Sequence, residues 1–232
     1  MISLASEFRL QDRGFEKITV LIPGWATDYR IFNALNLNYN YLLPTRISPF
    51  KFSDELSKLL DEKSIDKISL FGWSLGGFLA VDFALKNLDR VDELILLGIR
   101  KKFPEKELDE ARHQLKKNKK AYLYKFYLEC FSGDCKEGLA WFKKNLLKDY
   151  IRQMHLKNLI YGLDYLSQAR INAEFLAPIN KIRIFHGEKD NIAPLREAKE
   201  IKSYLPKAKF ISLGGVGHIP FLAQNFIGKF YG

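Results

Sequence analysis

The chain has 232 residues, 47% of them hydrophobic and 14% aromatic, with 37 Lys and Arg against 27 Asp and Glu for a formal net charge of +10. That apolar content can bury one large core, so a disordered chain and a coiled coil are excluded, and the length suits one domain carrying an insertion. No apolar run approaches a membrane span, and the opening MISLASEFRL lacks the basic start, apolar block and small-residue cleavage site of an export signal, so the expectation is a cytoplasmic protein that does not enter a membrane.

Taken in order, the segments alternate. KITVLIPG (17–24) is a β-rich run closed by Pro-Gly, and YNYLLP (39–44) is a second short strand. FSDELSKLLDEK then reads as a helix, with Ser53 as its cap, Asp54 and Glu55 in the first turn and Leu56, Leu59 and Leu60 as its apolar stripe. KISLFG (67–72) is a strand, SLGGFLAVDFALKNL an apolar helix, and VDELILLG (91–98) a continuous apolar strand. The rhythm resumes with KIRIFHG (181–187), a helix around 194–203, AKFISLGG (208–215) and a closing helix. Strands buried on both faces and separated by helices predict an α/β fold with a mostly parallel sheet covered on both sides.

Residues 101–175 break the rhythm. They hold no convincing strand but two long helical stretches, DEARHQLKKNKKAYLYKFYLECF and GLAWFKKNLLKDYIRQMHLKNLIYGLDYL, too long for a connection and amphipathic enough to need a packing partner. The expected organisation is a core of 1–100 and 176–232 with a helical cap, or lid, of 101–175. Cys130 and Cys135 are the only cysteines, with four residues between them and no CxxC or clustered His to make a metal site, and are expected as free thiols at or near a helix end.

Gly72-Trp73-Ser74-Leu75-Gly76 is a G-x-S-x-G sequence lying where a predicted strand turns directly into a predicted helix. A sharp turn of this kind strains the serine backbone and requires small flanking residues, and the new helix leaves the N–H of Leu75 free to face an oxyanion beside the serine oxygen. A serine hydroxyl is a poor nucleophile until a base takes its proton. The partners should follow in the order acid, then histidine, each past the carboxyl end of a strand. Asp190 in RIFHGEKDNIAP and His218 in ISLGGVGHIPF meet that order. Either residue alone reads as a turn aspartate or a loop histidine; both positions in order after the last two strands make the catalytic reading. His218 would accept the Ser74 proton while Asp190 fixes the imidazole tautomer.

Other candidates fit less well. His113 and His155 fall in the cap, and His186 ends its strand, where packing and turn hydrogen bonds suit it better. Asp28 is an alternative acid, but its place suits a cap on the following helix. The second oxyanion donor should come from PGWATDYRIF, most simply the N–H of Trp25. Trp25 and Trp73 would set two indoles beside the nucleophile, in the substrate site, in core packing, or both.

At these residues the chain resembles the α/β-hydrolases, and within them the pimeloyl-acyl-carrier-protein methyl ester esterases of biotin synthesis. The resemblance is carried by GWATDYRIF, GWSLGGFLA, YGLDYLSQARI, HGEKDNIAP and GHIPFLAQ. The paired PGW and GWS and the GLDYL segment narrow the superfamily to this family. It departs in Pro23-Gly24, where relatives carry His-Gly, and in LLPTRISPFKFSDEL, which lacks their glycine-rich segment. The resemblance implies a cofactor-free and metal-free serine esterase that cleaves the methyl ester of a pimeloyl chain on acyl carrier protein. A broad carboxylesterase or thioesterase on free acyl substrates is the alternative within the enzyme class, and a non-catalytic hydrolase-fold binding protein is the competitor outside it.

Residues 101–175 hold 16 Lys or Arg against 10 Asp or Glu, which makes the cap the more basic part per residue. Lys116, Lys117, Lys119, Lys120, Lys143, Lys144 and Arg152 lie beside aromatic residues, as on helices with one apolar and one cationic face. They read as a solvated surface or, by the resemblance, as a dock for an acidic carrier protein. No nucleic-acid recognition motif accompanies them.

Overall fold

In the computed structural model, which describes residues 6–232, the six apolar runs and one further strand form one seven-stranded sheet. Its strands are β1 (Glu7–Gln11), β2 (Ile18–Ile22), β3 (Asn40–Arg46), β4 (Ile68–Trp73), β5 (Val91–Leu97), β6 (Ile182–Gly187) and β7 (Lys209–Leu213). The spatial order is β1-β3-β2-β4-β5-β6-β7. Only β1 runs antiparallel to its neighbour, β3; the other pairs are parallel. Every residue of β4 is buried, as a central strand covered on both faces requires.

β1 was not foreseen from sequence. Its EFRLQ is largely exposed, so no apolar alternation marks it; Phe8 reaches inward to Phe52, 5.7 Å between ring centres. Half of the MISLASEFRL segment, residues 1–5, lies outside the described residues. Among the described residues no helix is long and apolar enough to cross a membrane.

The core helices are α1 (Phe52–Glu62), α2 (Leu75–Lys86), α7 (Leu195–Ser203) and α8 (Phe226–Tyr231). Ser53 does not cap α1. Pro49 opens a 3₁₀ turn, Pro49–Lys51, that leads into the helix earlier, so Lys51 occupies the cap and Ser53 is buried within the first turn. Pro suits such a start because its fixed φ is already helical.

Between β5 and β6 lie α3 (Glu105–Cys130), α4 (Lys136–Phe142), a π-helical turn (Lys143–Leu147), α5 (Lys148–Gln153) and α6 (Leu156–Gln168). The two expected long helices are broken. Asn118 leaves helical geometry at φ −156°, ψ 88°, and its Oδ1 accepts the Ala121 N–H at 3.1 Å, capping the second half of α3. Met154 and His155 turn extended and divide α5 from α6.

The topology brings the loops after β2, β4, β6 and β7 to the carboxyl edge of one parallel sheet, where ligand sites of such sheets form. The β4–α2 turn is the tightest of them. A Cβ on Gly76 would collide with the carbonyl oxygen of Ile22 and lie 2.8 Å from that of Pro23; a Cβ on Gly72 would lie 2.8 Å from the Gly77 Cα. These obstacles are backbone and cannot rotate away. Gly76→Ala is expected to cost about 2 kcal/mol or more, within the range of overpacked cores. A lower urea midpoint with an unchanged m-value would check this, and a wild-type midpoint would contradict the packing.

Candidate active site

Ser74 occupies the turn between β4 and α2 at φ 55°, ψ −118°, a conformation that costs a non-glycine residue roughly 1–3 kcal/mol. Its N–H donates to Leu97 O at 2.9 Å and its carbonyl accepts the Gly77 N–H at 2.8 Å, so both sides of the turn are pinned. The Oγ then lies 2.9 Å from His218 Nε2, and His218 Nδ1 lies 2.7 Å from Asp190 Oδ2. Ser74 and Asp190 are each 7% exposed and His218 is 1% exposed, so the three groups interact out of bulk water.

The hydrogen bonds define the proton arrangement. The second Asp190 oxygen, Oδ1, accepts the N–H groups of Ile192 at 2.9 Å and Ala193 at 2.8 Å, which fixes the carboxylate with Oδ2 toward His218. An ionised carboxylate only accepts, so Nδ1 of His218 donates to it and Nε2 of the neutral ring keeps a lone pair for the Ser74 hydroxyl. Burial by itself would raise the Asp190 carboxyl. The charge and hydrogen bond of His218, the charge of His186 and the Ala193 N–H outweigh it and hold the carboxyl below its usual value.

His186 serves its own turn, as its position suggested: Nε2–H donates to Ala193 O at 2.8 Å and lies 3.5 Å from Asp190 Oδ2, while Nδ1 has no partner among the described residues. Burial lowers its pKa, which the charge of Asp190 only partly offsets. Asp28 caps the 3₁₀ turn Tyr29–Phe32 by accepting the Arg30 N–H at 3.0 Å, and its carboxylate also holds the Arg30 guanidinium and the Tyr150 hydroxyl. It is therefore engaged away from His218, which takes Asp190.

Both tryptophans have specific partners. Trp73 donates Nε1–H to the carbonyl of His218 at 2.7 Å, joining the serine turn to the histidine loop. Trp25 donates Nε1–H to Leu159 O on α6 at 2.9 Å and packs edge-on against Phe126, 4.9 Å between ring centres. A Cβ on Gly162 of α6 would fall 2.7 Å from Trp25 Cδ1 and 3.8 Å from Leu75 Cδ1, so α6 lies directly over the two residues expected to supply oxyanion donors. Leu75 opens α2, where backbone N–H groups lack helical acceptors. The glycine-free segment after β3 places Phe50 against Tyr161 and Tyr165 of α6, at 5.1 and 5.4 Å between ring centres.

Two supports were missed in the sequence. The carbonyl of Cys130, at the end of α3, accepts the His218 N–H at 2.9 Å. Arg100, 5% exposed, donates to Ile192 O at 3.0 Å and pairs with Glu107 and Glu197, bracing the loop that carries Asp190. An arginine directly after an apolar strand was the available signal, since a charge there needs a buried partner. Cys130 and Cys135 are free and buried at helix ends, and burial raises both thiols. Of the basic residues, Lys116, Lys117, Lys120, Lys143, Lys144 and Arg152 are exposed; Lys119 is half-buried and donates to Met154 O at 2.6 Å.

A family model described as alpha/beta hydrolase fold matches residues 23–223, which spans the serine turn, the acid loop and the histidine loop. The chain belongs to the alpha/beta hydrolase family. This hydrolase is 27% identical, over 91% of its length and 93% of the relative's, to a pimeloyl-[acyl-carrier protein] methyl ester esterase of Nitrosomonas europaea. It is 26% identical to a protein of the same name from Aromatoleum aromaticum, over 72% of each chain. Among solved structures it superposes on a bromoperoxidase of Bacillus anthracis with a TM-score of 0.81 at 17% identity, covering 97% of this chain and 94% of that one. An esterase of Exiguobacterium antarcticum gives 0.79 at 18%, covering 97% and 92%.

The titration directions give a stability prediction. His186 has a native pKa below that of an unfolded histidine, so the unfolded state binds its proton first as pH falls below about 6.5. Asp190, also lowered, adds a further loss below about pH 4. Unfolding free energy should therefore fall between pH 7 and the lowered His186 value, and His186→Leu should flatten that slope. Urea titrations at a series of pH values test this; equal slopes in the two proteins would contradict it.

Proposed function

We propose that this hydrolase is a serine carboxylesterase that cleaves the methyl ester of a pimeloyl chain carried on acyl carrier protein. The observation that carries the chemistry is the continuous relay from Ser74 Oγ through His218 to Asp190 at 2.9 and 2.7 Å. The substrate rests on the relatives of that name, whose likeness extends over most of the chain.

In this reading His218 Nε2 takes the Ser74 proton as Oγ attacks the ester carbon, and Asp190 stabilises the imidazolium. The N–H groups of Leu75 and Trp25 bind the tetrahedral oxyanion. The intermediate collapses as His218 returns the proton to the departing alkoxide, releasing methanol and leaving an acyl-serine. Water then gives its proton to His218 and attacks the acyl carbon; the second intermediate collapses to free acid and reprotonated Ser74. The scheme calls for no cofactor and no metal. Trp25 and Trp73 sit in this neighbourhood, Trp73 as the link between nucleophile and base and Trp25 as part of the wall facing the acyl group.

Residues 101–175 act as the cap. The exposed Lys116, Lys117, Lys120, Lys143, Lys144 and Arg152 form its carrier-facing side, with Lys119 at the margin because its ammonium group is already bound to Met154 O.

Ser74→Ala should lower ester hydrolysis to the ~10³ to 10⁴-fold enhancement over water that triad knockouts retain, and His218→Ala should do the same. Turnover of folded Ser74→Ala at the wild-type rate would overturn the assignment.

Charge reversal tests the partner. Changing Lys116, Lys117 and Lys120, or Lys143, Lys144 and Arg152, to Glu should raise KM for the carrier-bound ester and leave a short free ester unaffected. Rim charges act by long-range attraction, which is screened over about 8 Å at physiological salt, so added salt should imitate the reversals in wild type. Values of kcat/KM for both esters across a salt series decide it; a carrier-bound activity indifferent to salt and to both reversals would leave a general esterase with a solvated basic surface.

A further inference from the structure

One strained residue within the loop that carries Trp25 is not accounted for by the relay. Ala26 stands at φ 60°, in the left-handed region, which costs an L-residue roughly 1–2 kcal/mol. Strain at such a place persists only where surrounding groups over-determine it. Its carbonyl is held from the cap: the Tyr127 hydroxyl of α3 donates to Ala26 O at 2.5 Å. Tyr127 is 2% exposed and its ring is packed among Phe126, Phe142 and Tyr150, so the hydroxyl is rigidly presented.

The same turn contains a second bond. Thr27 Oγ1 donates to Gly24 O at 2.9 Å. That carbonyl belongs to the peptide group whose N–H is the N–H of Trp25, and in a planar trans peptide the N–H points opposite to the C=O. Fixing the Gly24 carbonyl therefore fixes the direction of the Trp25 donor. The Ala26 carbonyl belongs to the peptide group that leads into Thr27, so Tyr127 determines where Thr27 stands.

We propose that Tyr127 and Thr27 are positioning residues, through which the cap aims the Trp25 N–H at the oxyanion. The proposal rests on the triad reading above and adds the device that prepares its second donor. Neither side chain touches the reacting atoms; each acts through the Gly24–Trp25 peptide.

The test uses the full chain, a short free ester, and enzyme concentrations set by active-site titration. Loss of a whole oxyanion donor costs about 10²–10³ in kcat, so misaiming one should cost about tenfold. Tyr127→Phe and Thr27→Val should each lower kcat about tenfold with KM within about twofold, and Thr27→Ser should restore it. A trifluoromethyl ketone, which adds to Ser74 as a charged hemiketal, should bind more weakly by the same factor. The double variant should lose little more than either single one, because both act on one peptide. Tyr41→Phe, another buried phenol whose oxygen accepts the Leu37 N–H, controls for loss of packing and should leave kcat and ketone binding unchanged. Wild-type kcat per titrated site in Tyr127→Phe and Thr27→Val, or ketone affinity that fails to follow kcat, would overturn the positioning role alone. An active Ser74→Ala would instead overturn the triad reading and this role with it.

Discussion

The close approach of the first turn of α2 to the end of β2 is the constraint on which the site depends. Gly76 rests on the backbone carbonyls of Ile22 and Pro23, and Gly72 faces Gly76 and Gly77 across the turn. Nothing larger than hydrogen fits at these contacts. The turn that results holds Ser74 in a sparsely populated conformation and brings the start of α2 beside the loop that follows β2. One packing contact thus places Ser74, an open helix N-terminus and the Trp25 loop together, before His218 or Asp190 arrives.

The helical segment between β5 and β6 then holds the arriving loops. The Cys130 carbonyl accepts the His218 N–H, Ser132 Oγ donates to Lys189 O at 2.6 Å, and the Asp134 N–H donates to Gly215 O at 2.6 Å. Trp25 is tied to α6, Ala26 to α3, and Asp28 to Tyr150 of α5. These bonds join the insertion to each loop of the relay except the serine turn, which the sheet itself fixes. The sheet supplies the directions from which the three groups come; the insertion supplies the last fixed contacts of the His218 and Trp25 loops. Burial opposes the Asp190 charge, and the attraction and hydrogen bond of His218, the attraction of His186 and the Ala193 N–H together outweigh it and hold that carboxyl below its usual value.

How much of this was legible depends on whether a residue's role is local. Strands β2, β4 and β5 announce themselves as apolar runs because both faces are buried, and the Gly72–Gly76 spacing encodes a local steric demand. Asp190 and His218, which lie in line with Ser74 in the structure, could be singled out because chain order and strand ends limit where an acid and a base can stand. The edge strand β1 was invisible, since EFRLQ has almost no buried face. The cap of α1 was misplaced because Pro49 starts the turn before the helix proper. Asn118 was read through as part of a continuous helix, although an asparagine between lysine pairs can cap as well as continue. Arg100 and Tyr127 act across 92 and 101 residues of sequence respectively, on loops that only the fold brings near; a charge soon after an apolar strand signals that Arg100 needs a partner without saying which, and no local pattern marks Tyr127.

The central claim is that Ser74 is a nucleophile activated by His218. Reaction with a fluorophosphonate, followed by peptide mapping of the adduct by mass spectrometry, tests it most directly, since such reagents phosphonylate an activated serine in preference to an ordinary hydroxyl. The account predicts a single adduct on Ser74 that forms rapidly in wild type and is lost in His218→Ala. An unlabelled protein, an adduct on another residue, or labelling of Ser74 at the same rate without His218 would contradict it.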